Sequence, residues 1–145
     1  MSAFDQLLSK LSTRLINSQG SETSQCVSEV IAAYGDYCQA DRCYIFEFNE
    51  NLSAMSNTFE WVREGFSRHI DDLQNVGQHD LPYFFATMRN DFRFVCPDIS
   101  LLPDTAKAER DEFEREHIKS VLCIGLVAKG RILGFVGCDK VRQQY

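Results

Sequence analysis

The chain has 145 residues, 15 of them Lys or Arg and 21 Asp or Glu, for a net charge of −6, with 44% hydrophobic and 25% charged residues. That length suits one folded unit, able to bury roughly two-thirds of the unfolded surface and to hold together without disulfides or metal. Only three prolines and eight glycines argue against collagen and low-complexity disorder, and the acidic balance repels nucleic acid and anionic lipid, so neither is an expected partner.

Leu7, Leu8, Leu11 and Leu15 recur at helical spacing over residues 4–17, a narrow apolar stripe on a polar helix that needs a partner. After Gly20, Ser21 and Glu22 suit a helix start, and Cys26, Val27, Val30, Ile31, Tyr34 and Cys38 give this second helix, running to about residue 39, a wide apolar face. Such a face must cover something large, such as a sheet. The period then switches to two: Tyr44, Phe46 and Phe48 alternate with Cys43, Ile45 and Glu47, a strand covered on both faces. Asn49, Glu50 and Asn51 supply turn chemistry, and residues 55–62 resume as a strand placing Met55, Asn57, Phe59 and Trp61 on one side.

Residues 65–79 read as loop with one helical turn near 70–73, and 80–90 as a short helix capped by Asp80 with Pro82 in its first turn. Phe92, Phe94 and Cys96 alternate in a short strand that Pro97 ends. Pro103 and Asp104 open a charged helix to about residue 117 whose carboxylates, from Glu109 to Glu116, are expected to face water. Two apolar segments, 119–128 and 131–139, are joined by Lys129-Gly130, a tight hairpin turn. Without repeat or linker, this order predicts an α+β domain around an antiparallel sheet.

Six cysteines without a C-x-x-C pair fall mostly in apolar segments, where reduced thiols serve as small hydrophobes. The first ten residues lack a basic stretch followed by an apolar one, and no apolar run approaches the ~18 residues of a membrane helix, so a cytoplasmic location without membrane insertion is expected.

The segments 40–48 (ADRCYIFEF), 56–61 (SNTFEW) and 118–122 (IKSVL), followed by 134–137 (GFVG), resemble a GAF domain over nearly the whole chain. The likeness is to the bacterial signalling modules attached to histidine kinases or diguanylate cyclases, and Pro97-Asp98-Ile99 sits where that family has an Asp after its third strand. The resemblance implies a single domain over residues 1–145, with a central antiparallel sheet of five to six strands, helices on one face, and loops plus short helices over a ligand cavity on the other. It also implies that the leading helix, residues 1–17, pairs with its copy in a homodimer through Leu7, Leu8, Leu11 and Leu15, with packing on the chain's own sheet as the competing reading. The implied function is sensing an unidentified small molecule and passing the signal through the terminal helices to an effector domain of the parent polypeptide, of which this chain reads as an excised piece. No cofactor is specified.

A sensor cavity combines apolar walls with a few orienting polar groups. Asn57, Phe59 and Trp61 on one strand, Tyr83 and Phe84 on the short helix, Phe94 on the next strand and Asp98 at its end are the ligand-binding candidates; taken singly, each is also an ordinary core or turn residue. The Asn-Lys…Phe…Asp-Glu signature of cyclic-nucleotide-binding relatives is missing, and so are the Arg and Tyr of bilin-binding ones. His69, His79 and His117 make no helix-face pair for haem or metal. No catalytic residues are expected. A redox enzyme such as a free methionine sulfoxide reductase would need glycine-rich cysteine segments that this chain lacks. A ligand-free dimerisation or relay module is the other alternative.

Overall fold

The computed structural model describes residue 6 and residues 21–141. The leucine stripe, Leu7, Leu8, Leu11 and Leu15, lies outside the described residues. Helix α1 spans Ser21–Tyr37, and its Val27, Ile31 and Tyr34 are buried against Cys43, Ile45, Val136 and Cys138 of the sheet. The wide face expected from the spacing is the face that covers the sheet.

The strands are β1 (Arg42–Phe48), β2 (Ala54–Val62), β3 (Val76–Gly77), β4 (Arg93–Cys96), β5 (Ser120–Ala128) and β6 (Arg131–Lys140). They form one six-stranded antiparallel sheet in the order β3-β2-β1-β6-β5-β4. Helices α2 (Pro82–Asp91) and α3 (Lys107–Arg115), with 3-10 turns at Ile99–Leu101 and Asp104–Ala106, belong to the second layer. This is the α+β arrangement that the alternation of periods predicted.

Two apolar cores result, one on each side of the sheet. On the side away from α1, Phe135 stacks on Phe46 at 5.0 Å between ring centres and meets Phe84 of α2 edge-on at 5.2 Å, and burying such a ring stabilises the fold by roughly 2–3 kcal/mol. The β5–β6 turn at Lys129-Gly130 has positive φ at both residues, 54° and 75°, the backbone that a two-residue hairpin loop requires. In the β1–β2 turn, Asn49 Oδ1 accepts from the amides of Ser53 and Ala54 at 2.8 and 3.1 Å, which closes the hairpin as the turn residues suggested.

Three local expectations are corrected. The segment between β2 and α2 includes the two-residue strand β3, which pairs Val76 with Met55 and Gly77 with Ala54; so short a strand has no period to read. Asp80 does not cap α2, because its Oδ2 accepts from Gly77 N at 2.9 Å and the cap residue is Leu81 without a side-chain bond. Instead Glu109 of α3, fully buried, accepts from Phe84 N at 3.1 Å in the first turn of α2, where free amides attract a carboxylate. The acidic face of α3 is therefore not wholly solvated: Glu109 and Glu116 point inward.

Candidate functional site

The face of the sheet away from α1 and the layer above it form a half-open cavity of about 540 Å³, with Asp72, Asp80 and Asp111 at its exposed rim, within the size range of small-molecule sites. Tyr44 and Phe46 of β1, Met55 and Asn57 of β2 and Phe135 and Asp139 of β6 form its floor. Leu73, Val76, Leu81, Phe84 and Phe113 form the roof. Glu60, at the edge, anchors the roof loop: its carboxylate accepts from His69 N at 3.0 Å and Ile70 N at 3.2 Å, with Arg68 at 3.7 Å.

One end of the cavity is polar. Arg42, 1% exposed, donates to the carbonyl of Ser67 at 3.0 Å and that of Glu116 at 3.0 Å, and its Nη1 lies 3.6 Å from Asp139 Oδ2. Tyr44 donates its hydroxyl to Asp139 Oδ1 at 2.5 Å. Burial pushes the Asp139 carboxyl up to about 7, against the opposing pull of the Tyr44 hydroxyl and the Arg42 guanidinium. Glu116 is held well above the ordinary carboxylate range by burial first, then by its hydrogen bond to Glu112 and the charge of Asp139. Burial also raises the thiol of Cys123 in the wall.

Toward the apolar end stands Asn57, 2% exposed, with neither Oδ1 nor Nδ2 hydrogen-bonded. Arg42 Nη1 also lacks a hydrogen-bond partner. A buried amide without partners costs on the order of 1–3 kcal/mol, so Asn57 is a group whose retention calls for an explanation. The arrangement can seat a molecule with an apolar body over the Phe46, Phe84 and Phe135 rings and a polar group reaching Asn57 and the Arg42–Asp139 end.

A family profile described as GAF domain matches residues 22–145. The chain belongs to the GAF domain family. The methanogenesis regulatory histidine kinase FilI of Methanothrix harundinacea (strain 6Ac) is 27% identical over 128 residues, which are 85% of this chain and 14% of that kinase. The phycocyanobilin-bound GAF domain from a cyanobacterial phytochrome matches with a TM-score of 0.69 at 11% identity, over 100% of this chain and 84% of that one. A Staphylococcus aureus NreA protein, mutated in its nitrate binding site, matches at TM-score 0.64 and 14% identity, over 84% and 89% of the two chains. At such identities the structural likeness speaks for the fold alone. With a GAF profile and a histidine-kinase relative, the chain is a regulatory signalling domain. No described helix is long and apolar enough to cross a membrane.

In this GAF domain the candidate residues divide. Asn57 and Phe84 line the cavity. Phe59 and Trp61 lie on the α1 face, packed against the second core, because the register slips opposite Ile45 and Phe46: Ile45 pairs with Phe59 and Phe46 with Asn57, leaving Thr58 as an extra residue. A bulge of that kind reverses the alternation beyond it, so the one-sided array of Met55, Asn57, Phe59 and Trp61 is split. Trp61 crosses α1 at Gly35, where a Cβ would come within 2.6 Å of its ring.

Phe94 is buried among Tyr83, Phe84 and Phe113 as part of the aromatic core, and Tyr83 meets it edge-on at 6.3 Å; neither is in the cavity wall. Asp98 caps the turn at Ile99–Leu101, accepting from Ser100 N at 3.0 Å and Ser100 Oγ at 2.7 Å. Sequence reasoning passed over Arg42, Tyr44, Glu116 and Asp139. A signal existed for the first: Arg42 shares strand parity with Tyr44 and Phe46, and a charge on the buried face of a strand needs a partner. Among the described residues no three His, Cys, Asp or Glu side chains gather as a metal-ligand set.

Proposed function

We propose that this GAF domain is a non-catalytic small-molecule sensor that controls a linked effector, such as the kinase portion of a protein like FilI. The observation that carries the reading is Asn57, buried in the wall of a 540 Å³ cavity with both amide atoms unpartnered. A relay filled by its own side chains has no use for such a group. Against a redox enzyme, Cys123 in the wall is held as a thiol by burial, with no thiolate to act as nucleophile at neutral pH.

Binding alters output only by favouring one arrangement of the sheet and terminal segments over another. β6 is suited to carry that preference: Asp139 faces the cavity near its end, and two residues later Val141 N is held by Asp41 Oδ2 at 2.8 Å. The homodimer through Leu7, Leu8, Leu11 and Leu15 belongs to the same proposal. Native mass spectrometry of protein purified without added ligand tests the sensor. A retained small molecule, reduced or lost in Asn57→Leu, is the expected result; clean apo mass in both, with no metabolite stabilising either, contradicts it. Light scattering on the eluting protein tests the dimer, which a monomer at high concentration refutes.

A further inference from the structure

We propose, resting on the sensor reading above, that the cavity takes a small organic cation: a primary ammonium group carried on an apolar body. Seven carboxylate residues and two arginines line the cavity. Of the arginines, Arg42 donates to the carbonyls of Ser67 and Glu116 and faces Asp139 at 3.6 Å through Nη1, its one nitrogen without a hydrogen bond, and Arg115 is paired with Glu112 at 2.7 Å and Asp72 at 3.6 Å. Asp139 and Glu116 are buried carboxylates of that lining, and seven acidic residues against two arginines, both facing carboxylates, leave an excess of acidic groups that disfavours an anion and suits a cation. Asn57 is an independent pointer: its Oδ1 is an unoccupied acceptor in the buried wall, and its Nδ2 can donate to a carbonyl or hydroxyl on the same molecule. The aromatic faces of Phe46, Phe84 and Phe135 suit an apolar body and favour a nearby positive charge.

Proton release gives this site a signature that simple hydrophobic binding lacks. Asp139 faces Arg42 and Tyr44 from β1, Glu60 from β2, Cys123 from β5 and Glu116 from the end of α3. Its carboxyl, raised to about 7 by burial, must lose its proton for an ammonium to be neutralised there. An amine charged throughout the range then binds about tenfold tighter at pH 8 than at pH 6, following the ionised fraction of such a group.

The test is calorimetric titration of the full chain with matched probes of different charge on the same body: tryptamine, indole-3-propionate and tryptophol, then hexylamine, hexanoate and hexanol. In at least one set, the amine is expected to bind ten times or more tighter than both counterparts, with the stated pH dependence, and to lose that lead in Asp139→Asn. Equal affinity across charges, or a lead for the carboxylate, overturns the ammonium assignment while leaving the sensor standing. No binding by any probe also overturns it. The sensor reading is then decided separately by the retained-ligand mass measurement, so the two failures are distinguishable. Because these comparisons use the unmodified chain, they hold even if a variant does not fold.

Discussion

Asn57 carries an unusual trade at the scale of one residue: an isosteric leucine would suit its buried position better than an amide whose Oδ1 and Nδ2 have no partner in the protein. Asn57→Leu is accordingly expected to leave stability unchanged or raise it by about 1 kcal/mol, measured by urea denaturation, while abolishing ligand retention; a loss of stability of several kcal/mol would mean that the amide has a structural partner. Phe135, clasped by the Phe46 and Phe84 rings, has the opposite role, and Phe135→Ala should cost on the order of 3–5 kcal/mol in the same assay. Asp139 adds a pH dependence. Its carboxyl titrates near 7 in the folded chain and near the ordinary 3.8 when unfolded, so between those values the native state holds a proton that the unfolded state has released. That contribution is complete at low pH and is lost as pH rises through 7, on the order of 4 kcal/mol in all. Denaturation at several pH values between 4 and 8 should show the wild type losing stability relative to Asp139→Asn as pH increases; parallel curves would contradict the assigned shift.

The elements that a strong period specifies were the ones legible in the sequence. α1 announced its covering face through Val27, Ile31 and Tyr34, and the β5–β6 hairpin was evident from two apolar runs about Lys129-Gly130. Elsewhere long-range geometry decided. Thr58 is the extra residue of a bulge visible only in the pairing with β1, and it sends Phe59 and Trp61 to the helix side while Asn57 stays in the cavity. Glu109 serves as a cap from another helix, which no local window around α2 could reveal. The polar end was hidden for the same reason, since Arg42 and Asp139 are 97 positions apart in sequence and meet only because β1 pairs with β6. The packing of α1 on β2 yields a prediction of sign. Alanine in place of glycine inside a helix ordinarily stabilises by about 1 kcal/mol, but a Cβ at residue 35 would meet the Trp61 ring at 2.6 Å, and overpacking of that kind costs about 1–3 kcal/mol. Gly35→Ala is therefore expected to lower the melting temperature and shift Trp61 emission; a higher melting temperature with unchanged emission would show that the contact is slack.

For the molecule as a whole, the sheet separates two tasks. One face anchors α1 through an apolar core; the other carries a cavity whose polar end sits at the start of β1 and the end of β6, beside the point where the chain leaves the sheet. On the sensor proposal, a ligand drawn toward Asp139 would act at the end of β6, and Trp61, on the opposite face, should report binding weakly if at all. On the proposed function the cavity is a binding site and not a packing defect. A high-resolution crystallographic map of protein purified without added ligand tests it most directly. Continuous density is expected between Asn57 and the Arg42–Asp139 pair, over the Phe46, Phe84 and Phe135 rings; a roof collapsed onto the sheet, with Asn57 hydrogen-bonded to the protein itself, would contradict the binding-site reading.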